Sequence, residues 1–297
     1  VTATLLPAAR ARFHFTNPTL RPKGDKSGLL WAAASLVLML ALWQLASVLI
    51  GEGQSGMRLV PGIGDVVSSY MVFADYWPGG LGAEQTVRGA EPSVWGATLG
   101  LGYNVAISLS RFAVGFILGA MVGIGAGLLV SWSSIARCTV SFPAHFLRMM
   151  PLLAMLPLFG LWFGSSEMGT YMFTAFAVAV LLFVLTVAAV NNVPRIYSDS
   201  ATSLGASRAR IYLSVIVPSI TPNLKVGILL AVPFAWSAVL AAEVIGKQYG
   251  LGRILNFALL YAATDVVAVT TLAVVIVAGC THLVLVKVLN HLTRWVD

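Results

Sequence analysis

The sequence predicts an all-α membrane protein with six transmembrane helices, and three observations carry that prediction. Of its 297 residues, 58% are hydrophobic and 10% charged, where soluble domains carry about 25% charged residues. Several stretches stay apolar for the roughly 20 residues that one bilayer crossing needs. The basic residues gather on alternate connecting segments, the signature of a chain threaded back and forth through a membrane. The mean hydropathy is +0.88. Such a composition excludes disordered, collagen-like and disulfide-stapled chains and leaves little room for a separate soluble catalytic domain.

The predicted spans are 29–50, 105–132, 138–163, 168–190, 224–245 and 266–289. The third is unusual, with Pro143, Pro151 and Pro157 interrupting it and His145 and Arg148 inside it. Segment 1–28 is polar and basic and is expected in the cytoplasm, with 29–297 forming one transmembrane domain. A cleaved signal has an apolar core of only about 7–15 residues, so the first span is expected to stay as an anchor. With the N-terminus inside, twelve basic residues lie on inner segments: Arg10, Arg12, Arg21, Lys23, Lys26, Arg137, Arg195, Arg208, Arg210, Lys225, Lys287 and Arg294. Only four, Arg58, Arg88, Lys247 and Arg253, lie outside. Both termini therefore face the cytoplasm in this reading. The net charge of +7 belongs to one face of a membrane and does not point to nucleic acid.

The outer loop 51–104 opens with Pro61-Gly62-Ile63-Gly64-Asp65, a turn leading into a short amphipathic helix at the interface that Trp77-Pro78-Gly79-Gly80 ends. Gly82 to Gly102 reads as glycine-rich loop. Cys138 and Cys280 fall at the ends of different spans and read as small buried thiols rather than a disulfide.

Familiar enzyme chemistry is missing from the sequence. Lys26 is the only lysine followed by Ser or Thr, and Asp25 precedes it, so no G-x-x-x-x-G-K-[ST] phosphate loop exists. The four histidines and two cysteines show no metal-ligand spacing, and no G-x-S-x-G elbow occurs.

Three features inside the membrane stand out. Gly115, Gly119, Gly123 and Gly127 form a ladder every four residues on one helix face, suited to close backbone approach. It serves helix packing, a moving contact or a dimer seam. Met149, Met150, Pro151, Met155, Pro157 and Trp162 lie on the proline-interrupted span. Irregular backbone at membrane depth survives only where protein or a watery cavity satisfies it, so this segment lines a passage or is a kinked packing helix. Glu243 sits near the outer end of the fifth span, where an unpaired carboxylate costs about 2–3 kcal/mol or more. Arg111, Arg148 or a loop amide is its expected partner, in a structural ion pair or a substrate or proton site.

Residues 191–223 form the longest inner loop. Ser198 is expected to cap a short helix through Asp199, Ser200, Ala201 and Leu204, Gly205 to stop it in the left-handed conformation, and Ser207 to cap a second helix, Arg208 to Ile216, ending before Pro218. Two short helices around a glycine turn make a rigid knob fitted to another protein's groove.

The stretch from Asp199 through Leu204-Gly205-Ala206-Ser207 to Val217-Pro218 resembles the "EAA" loop of ATP-binding cassette (ABC) importer permeases. It departs at the opening, where Asp199-Ser200-Ala201 replaces Glu-Ala-Ala. Pro222, Gly227, Ala235-Trp236, Ala241-Ala242-Glu243, Ile245-Gly246, Gly250-Leu251-Gly252, the run Pro151 to Gly164, and Leu109-Ser110-Arg111 are similar to the sulfonate, taurine and nitrate branch. The resemblance implies the type I ABC importer permease fold with a cytoplasmic coupling helix, in a bacterial inner membrane. It implies a dimer, commonly of identical chains, two ABC ATPase subunits that bind the ATP and magnesium, and a solute-binding protein outside. The chain itself would hold no cofactor and be no enzyme. Asp199, Gly205 and the helix through Tyr212 would transmit force, Met149, Met150, Met155 and Trp162 would line the path with Trp236 nearby, and Glu243 would shape its outer end. The cargo would be a small anion such as a sulfonate, taurine, nitrate or bicarbonate, or else an aromatic acid or vitamin precursor. A gradient-driven transporter would instead show paired intramembrane acids or inverted repeats, and a scaffold would need no coupling knob.

Overall fold

The computed structural model describes residues 26–51, 58–78 and 93–294. The predicted loop residues 79–92 and the segment 1–25 lie outside them. Helix α1, Lys26–Ile50, belongs to a unit by itself, and the chain from Ile50 onward forms a second compact unit.

In the second unit, α2 (Ile63–Ser68) runs into a 3-10 segment, Ser69–Tyr76. The Asp65 carboxylate accepts a hydrogen bond from the Gly62 amide at 2.9 Å and so closes the first turn. This stretch is not merely an amphipathic helix resting on lipid, as the sequence suggests. Phe73 and Ala74 are completely buried, packed with Ala97, Leu251 and Ile254.

Helix α3 spans Val94–Trp132. It begins eleven residues before the predicted span, inside the stretch read as glycine-rich loop. Ser93 caps it through the Gly96 amide at 3.0 Å. Gly96 and Gly100 lie against Ala74 and Phe73, and a Cβ on Gly100 would fall 2.0 Å from the Phe73 carbonyl oxygen. Packing against the 3-10 segment thus outweighs the poor helix propensity of glycine, about 1 kcal/mol per residue.

The predicted third span is two helices, α4 (Ser134–Met149) and α5 (Leu152–Phe163), separated at Met150-Pro151. Pro143 and Pro157 stay inside these helices. Only Pro151 coincides with a break, because Met150 takes an extended conformation ahead of it. Among the described residues, five helices are long and apolar enough to cross a membrane, and α5 is shorter. Cys138 and Cys280 are exposed rather than buried.

Helix α6, Glu167–Asn191, is the central pillar. Helix α3 lies against it along the glycine ladder. A Cβ on Gly115 would approach Thr174 Cβ to 2.5 Å, one on Gly119 the Ala175 carbonyl to 2.6 Å, one on Gly123 the Ala179 carbonyl to 2.6 Å, and one on Gly127 Thr186 Cβ to 2.7 Å. The ladder is a packing seam within one chain. On the other side α9, Thr221–Val244, completes the core. There Phe112 stacks on Phe116 at 5.2 Å and on Trp236 at 4.9 Å, over Val178, Leu182 and Val239.

Between α6 and α9 lie α7 (Arg195–Ser203) and α8 (Arg208–Ile211), followed by a π turn, Tyr212–Ile216, and a further turn, Val217–Ser219. Beyond α9, helix α10 (Leu251–Leu260) leads to α11 (Thr264–Leu292). Helix α10 lies where the sequence reading placed only a connection, and it buries Leu251, Ile254 and Ala258 on one face.

Candidate functional site

Two groups of side chains occupy opposite ends of α9, which at 1.5 Å per residue is about 36 Å long. At the Val244 end, Glu243 is wholly buried. Its Oε1 accepts hydrogen bonds from Ser108 Oγ at 2.7 Å and Arg111 Nη1 at 2.9 Å, and its Oε2 accepts one from the Gly252 amide at 2.8 Å. Arg111, also buried, turns its Nε and Nη2 to the two oxygens of Glu167 at 2.7 and 2.6 Å and gives a further Nη1 bond to the Tyr249 carbonyl at 2.7 Å. Asn104 accepts from the Gly250 amide at 2.7 Å, and Ser108 Oγ accepts from the Leu251 amide at 2.9 Å.

Backbone geometry makes this cluster possible. Gly250 has φ +117°, and a Cβ there would lie 2.5 Å from the Glu243 carboxyl carbon. Only glycine brings the start of α10 onto the carboxylate with its amides facing inward. Every oxygen of the buried acid is therefore paired, as a charge in a low-dielectric setting requires.

Lys247, in the loop after α9, extends the cluster. Its ammonium donates to the carbonyls of Ser165 and Ser166 and lies 3.7 Å from Glu167. Burial pushes its pKa below the ordinary lysine value, and nearby Glu167 opposes the shift. A cavity of about 430 Å³ opens beside it, walled by Leu156, Pro157 and Phe159 of α5 and by Thr170 and Phe173 of α6.

The candidate path residues divide between core and surface. Met155 and Trp236 are buried in the protein's own core, Trp236 donating its indole N–H to Thr281 Oγ1 at 3.0 Å. Met149, 80% exposed, and Trp162, 64% exposed, point outward, as do Pro151 and Pro157, while Met150 is half-buried.

At the other end, the loop 191–223 has its own architecture. Helix α7 starts at Arg195 after Pro194, one turn earlier than expected. Ser198 is therefore no cap, and its hydroxyl donates to the Arg195 carbonyl at 2.7 Å. Asp199 lies in the second turn instead of at the helix start. Proline supplies the start because its φ is already helical and its missing N–H costs nothing there. The stop falls where expected: Gly205 has φ +77°, its amide bonds the Thr202 carbonyl at 2.9 Å, and the Ala206 amide reaches the Ala201 carbonyl at 3.1 Å. These two bonds define a Schellman turn. It holds Leu204 at the tip, 88% exposed, with Asp199, Ser200 and Ser207 also exposed. Ser207 caps α8 through the Arg210 amide at 3.4 Å.

The second loop helix does not end before Pro218. In the π turn the Val217 amide bonds back to the Tyr212 carbonyl, and this wider turn makes room for the proline ring that would otherwise strike the carbonyl four residues earlier. Tyr212 faces inward, its hydroxyl donating to the Leu128 carbonyl at 2.6 Å and its ring meeting Trp132 edge-on at 5.0 Å. It anchors the loop to the end of α3.

Sequence reasoning offered Arg111, Arg148 or a loop amide as the partner of Glu243; the structure brings both Arg111 and the Gly252 amide to it, and the reading missed Asn104, Ser108, Glu167 and Lys247. A signal was present, since Asn104, Ser108 and Arg111 recur at intervals of four and three on an otherwise apolar helix.

Long apolar helices packed on α6, a broken helix on the flank and an exposed capped loop at one end fit a membrane transport subunit. The chain belongs to the family of binding-protein-dependent transport system inner membrane components, which matches residues 95–297. It is the permease subunit of an ABC importer, a multi-pass membrane protein. It is 31% identical over 192 residues to the taurine transport system permease protein TauC of Escherichia coli K12, covering 65% of this chain and 70% of that one. With the nitrate import permease protein NrtB of Synechococcus elongatus it shares 28% over 257 residues, 85% of this chain and 83% of the relative. Among solved structures, an inward-facing MetNI methionine ABC transporter superposes with a TM-score of 0.55 at 18% identity, over 66% of this chain and 96% of that chain. A bacterial ABC transporter that imports the acidic polysaccharide alginate gives 0.51 at 14% identity, over 91% and 97%. At such identities these structures share the fold.

Proposed function

We propose that this permease imports a small anion, of the sulfonate, taurine, nitrate or bicarbonate kind, delivered by an extracytoplasmic binding protein. Two copies of the chain would form the passage, and two cytoplasmic ABC ATPase subunits, holding ATP and magnesium, would drive alternating access. The loop 191–223 and the segments before α1 and after α11 would face the cytoplasm, and the Glu243 cluster would face outward. The excess of basic residues on the loop side supports this orientation. The spans would be α1, α3, the α4–α5 pair, α6, α9 and α11.

The single observation that carries the coupling role is the Schellman turn, which fixes Leu204 in an exposed position between two capped helices. A leucine held in water by a rigid turn suits an apolar groove on a partner. The names of the relatives support the anionic cargo.

The test is reconstitution of the chain with its ATPase in liposomes, reading ATP hydrolysis and uptake together. Gly205→Val and Tyr212→Asp are expected to abolish binding-protein-stimulated uptake while the bundle stays folded. Uptake at the wild-type rate in both variants would refute the loop assignment. Unaltered uptake after Trp162→Ala and Met149→Ala would remove the α4–α5 surface from the path.

A further inference from the structure

At the Val244 end of α9 two connections meet: the α5–α6 turn, Gly164 to Ser166, and the α9–α10 loop, 245–250. Lys247 donates to the Ser165 carbonyl at 3.0 Å and to the Ser166 carbonyl. Gly246 brings its backbone against the Ser165 side chain, where a Cβ would lie 2.8 Å from Oγ and 3.6 Å from Cβ. The contact borders the cavity of about 430 Å³, which Ser165, Ser166, Ile245 and Lys247 line together with residues of α5 and α6.

The charge on Lys247 is poorly matched. The residue is 5% exposed, and the nearest carboxylate among the described residues, Glu167, stands 3.7 Å away, beyond hydrogen-bond distance. Both Glu167 oxygens are already bonded to Arg111, at 2.7 and 2.6 Å. The ammonium therefore rests on two neutral carbonyls, a weak exchange for the water it has lost. Glu243 is the opposite case, with donors on both of its oxygens. Of these two polar joints, the one at Lys247 yields first. The chain around it can absorb the motion: Gly164, Gly246 and Gly250 have φ of +61°, +76° and +117°, and hinges are loop positions that take up changes in φ and ψ.

We propose that Lys247 is a latch, holding the α9–α10 loop against the α5–α6 turn, and that the two connections part in each transport cycle to uncover the cavity on the outer side. The inference rests on the outward orientation of this end proposed above. The joint lies within one chain, so it opens without any separation of two copies.

The experiment uses the full chain with its ATPase in nanodiscs, with Cys138 and Cys280, both free and exposed, replaced by serine. Ser165→Cys with Gly246→Cys sets two Cβ atoms 3.6 Å apart, within the range of about 3.5–4.5 Å that a disulfide spans. Oxidation is expected to cut ATP hydrolysis about tenfold and reduction to restore it. A cross-link preserves a static contact and stops only one that must open. Unchanged hydrolysis in the cross-linked protein, or folded protein that does not cross-link, overturns the proposal. A second arm needs neither ATPase nor a side chain at Gly246. It places Thr170→Cys in the cavity wall, where the native side chain is 2% exposed and its hydroxyl bonds nothing in the protein. A water-soluble maleimide is expected to label this cysteine about tenfold faster once Lys247→Met is added, and equal rates overturn the latch. Because labelling reads the latch without turnover, a chain that recruits no ATPase refutes the coupling reading and leaves the latch to be decided by labelling.

Discussion

Replacing Glu243 with glutamine keeps the side-chain shape, removes the charge and exchanges one acceptor oxygen for an NH₂ donor. The carboxylate faces donors on both oxygens: Arg111 Nη1 at 2.9 Å on one and the Gly252 amide at 2.8 Å on the other. A glutamine satisfies one of these and turns its own NH₂ toward the other. Placing its oxygen toward Arg111 leaves the Gly252 N–H facing a second donor, which costs about 1–3 kcal/mol for a buried unpaired group. The surviving bond to Arg111 becomes less charge-assisted, a further loss of about 1 kcal/mol. Arg111 keeps its two-pronged pairing with Glu167, so the larger penalty of about 3–5 kcal/mol for stranding a buried charge does not apply in full. The expected loss is about 2–4 kcal/mol, measured as reversible unfolding in mixed micelles with increasing SDS. Arg111→Met, alone and combined with Glu243→Gln, completes a double-mutant cycle in which a coupling above about 1 kcal/mol is expected. A loss below 1 kcal/mol, or strict additivity, would refute the view that this pair locks α3, α9 and α10 together.

Gly123→Val places a branched side chain where a Cβ alone would come within 2.6 Å of the Ala179 carbonyl. It should destabilise the bundle by at least about 1–3 kcal/mol in the same unfolding assay, whereas Gly125→Ala, with nothing within 4 Å, should be nearly silent. Tyr212→Phe deletes the hydroxyl bond to the Leu128 carbonyl and should cost about 0.5–1.5 kcal/mol, with hydrogen exchange quickening first in residues 195–216. Lys247 has a folded pKa below its ordinary 10.5. The unfolded chain then holds the proton more tightly, so stability should rise as pH climbs from the depressed value to 10.5 and stay flat below it. Lys247→Met should erase that slope, read as the unfolding midpoint across alkaline pH.

The apolar runs made the long helices legible, because a crossing helix advertises itself by length alone, and α6, α9 and α11 lie within three residues of their predicted bounds at both ends. Tertiary contact governed the places where reading failed. Helix α3 extends through Gly96 and Gly100 because the 3-10 segment covers them, and no local propensity reveals that cover. Helix α10 is apolar but too short to announce itself as a crossing helix, and Leu251, Ile254 and Ala258 already stand on one face. The break at Met150-Pro151 was visible as proline, although Pro143 and Pro157 gave the same signal and sit in continuous helix. At the site, Gly205 was readable because a left-handed helix stop is a local requirement. The lattice of Asn104, Ser108, Glu167 and Lys247 around Glu243 joins residues up to 146 positions apart, and no sequence window contains it.

The π turn at Tyr212–Ile216 leaves α8 and α9 joined almost without interruption, so the loop and the Glu243 cluster are two ends of one lever. A tilt of about 5° about one end of an arm about 36 Å long displaces the other by about 3 Å, which exceeds the length of every hydrogen bond that Glu243 makes. A motion small enough to pass unnoticed at the loop is therefore large enough, at the far end of the same helix, to make or break the bonds that hold Glu243.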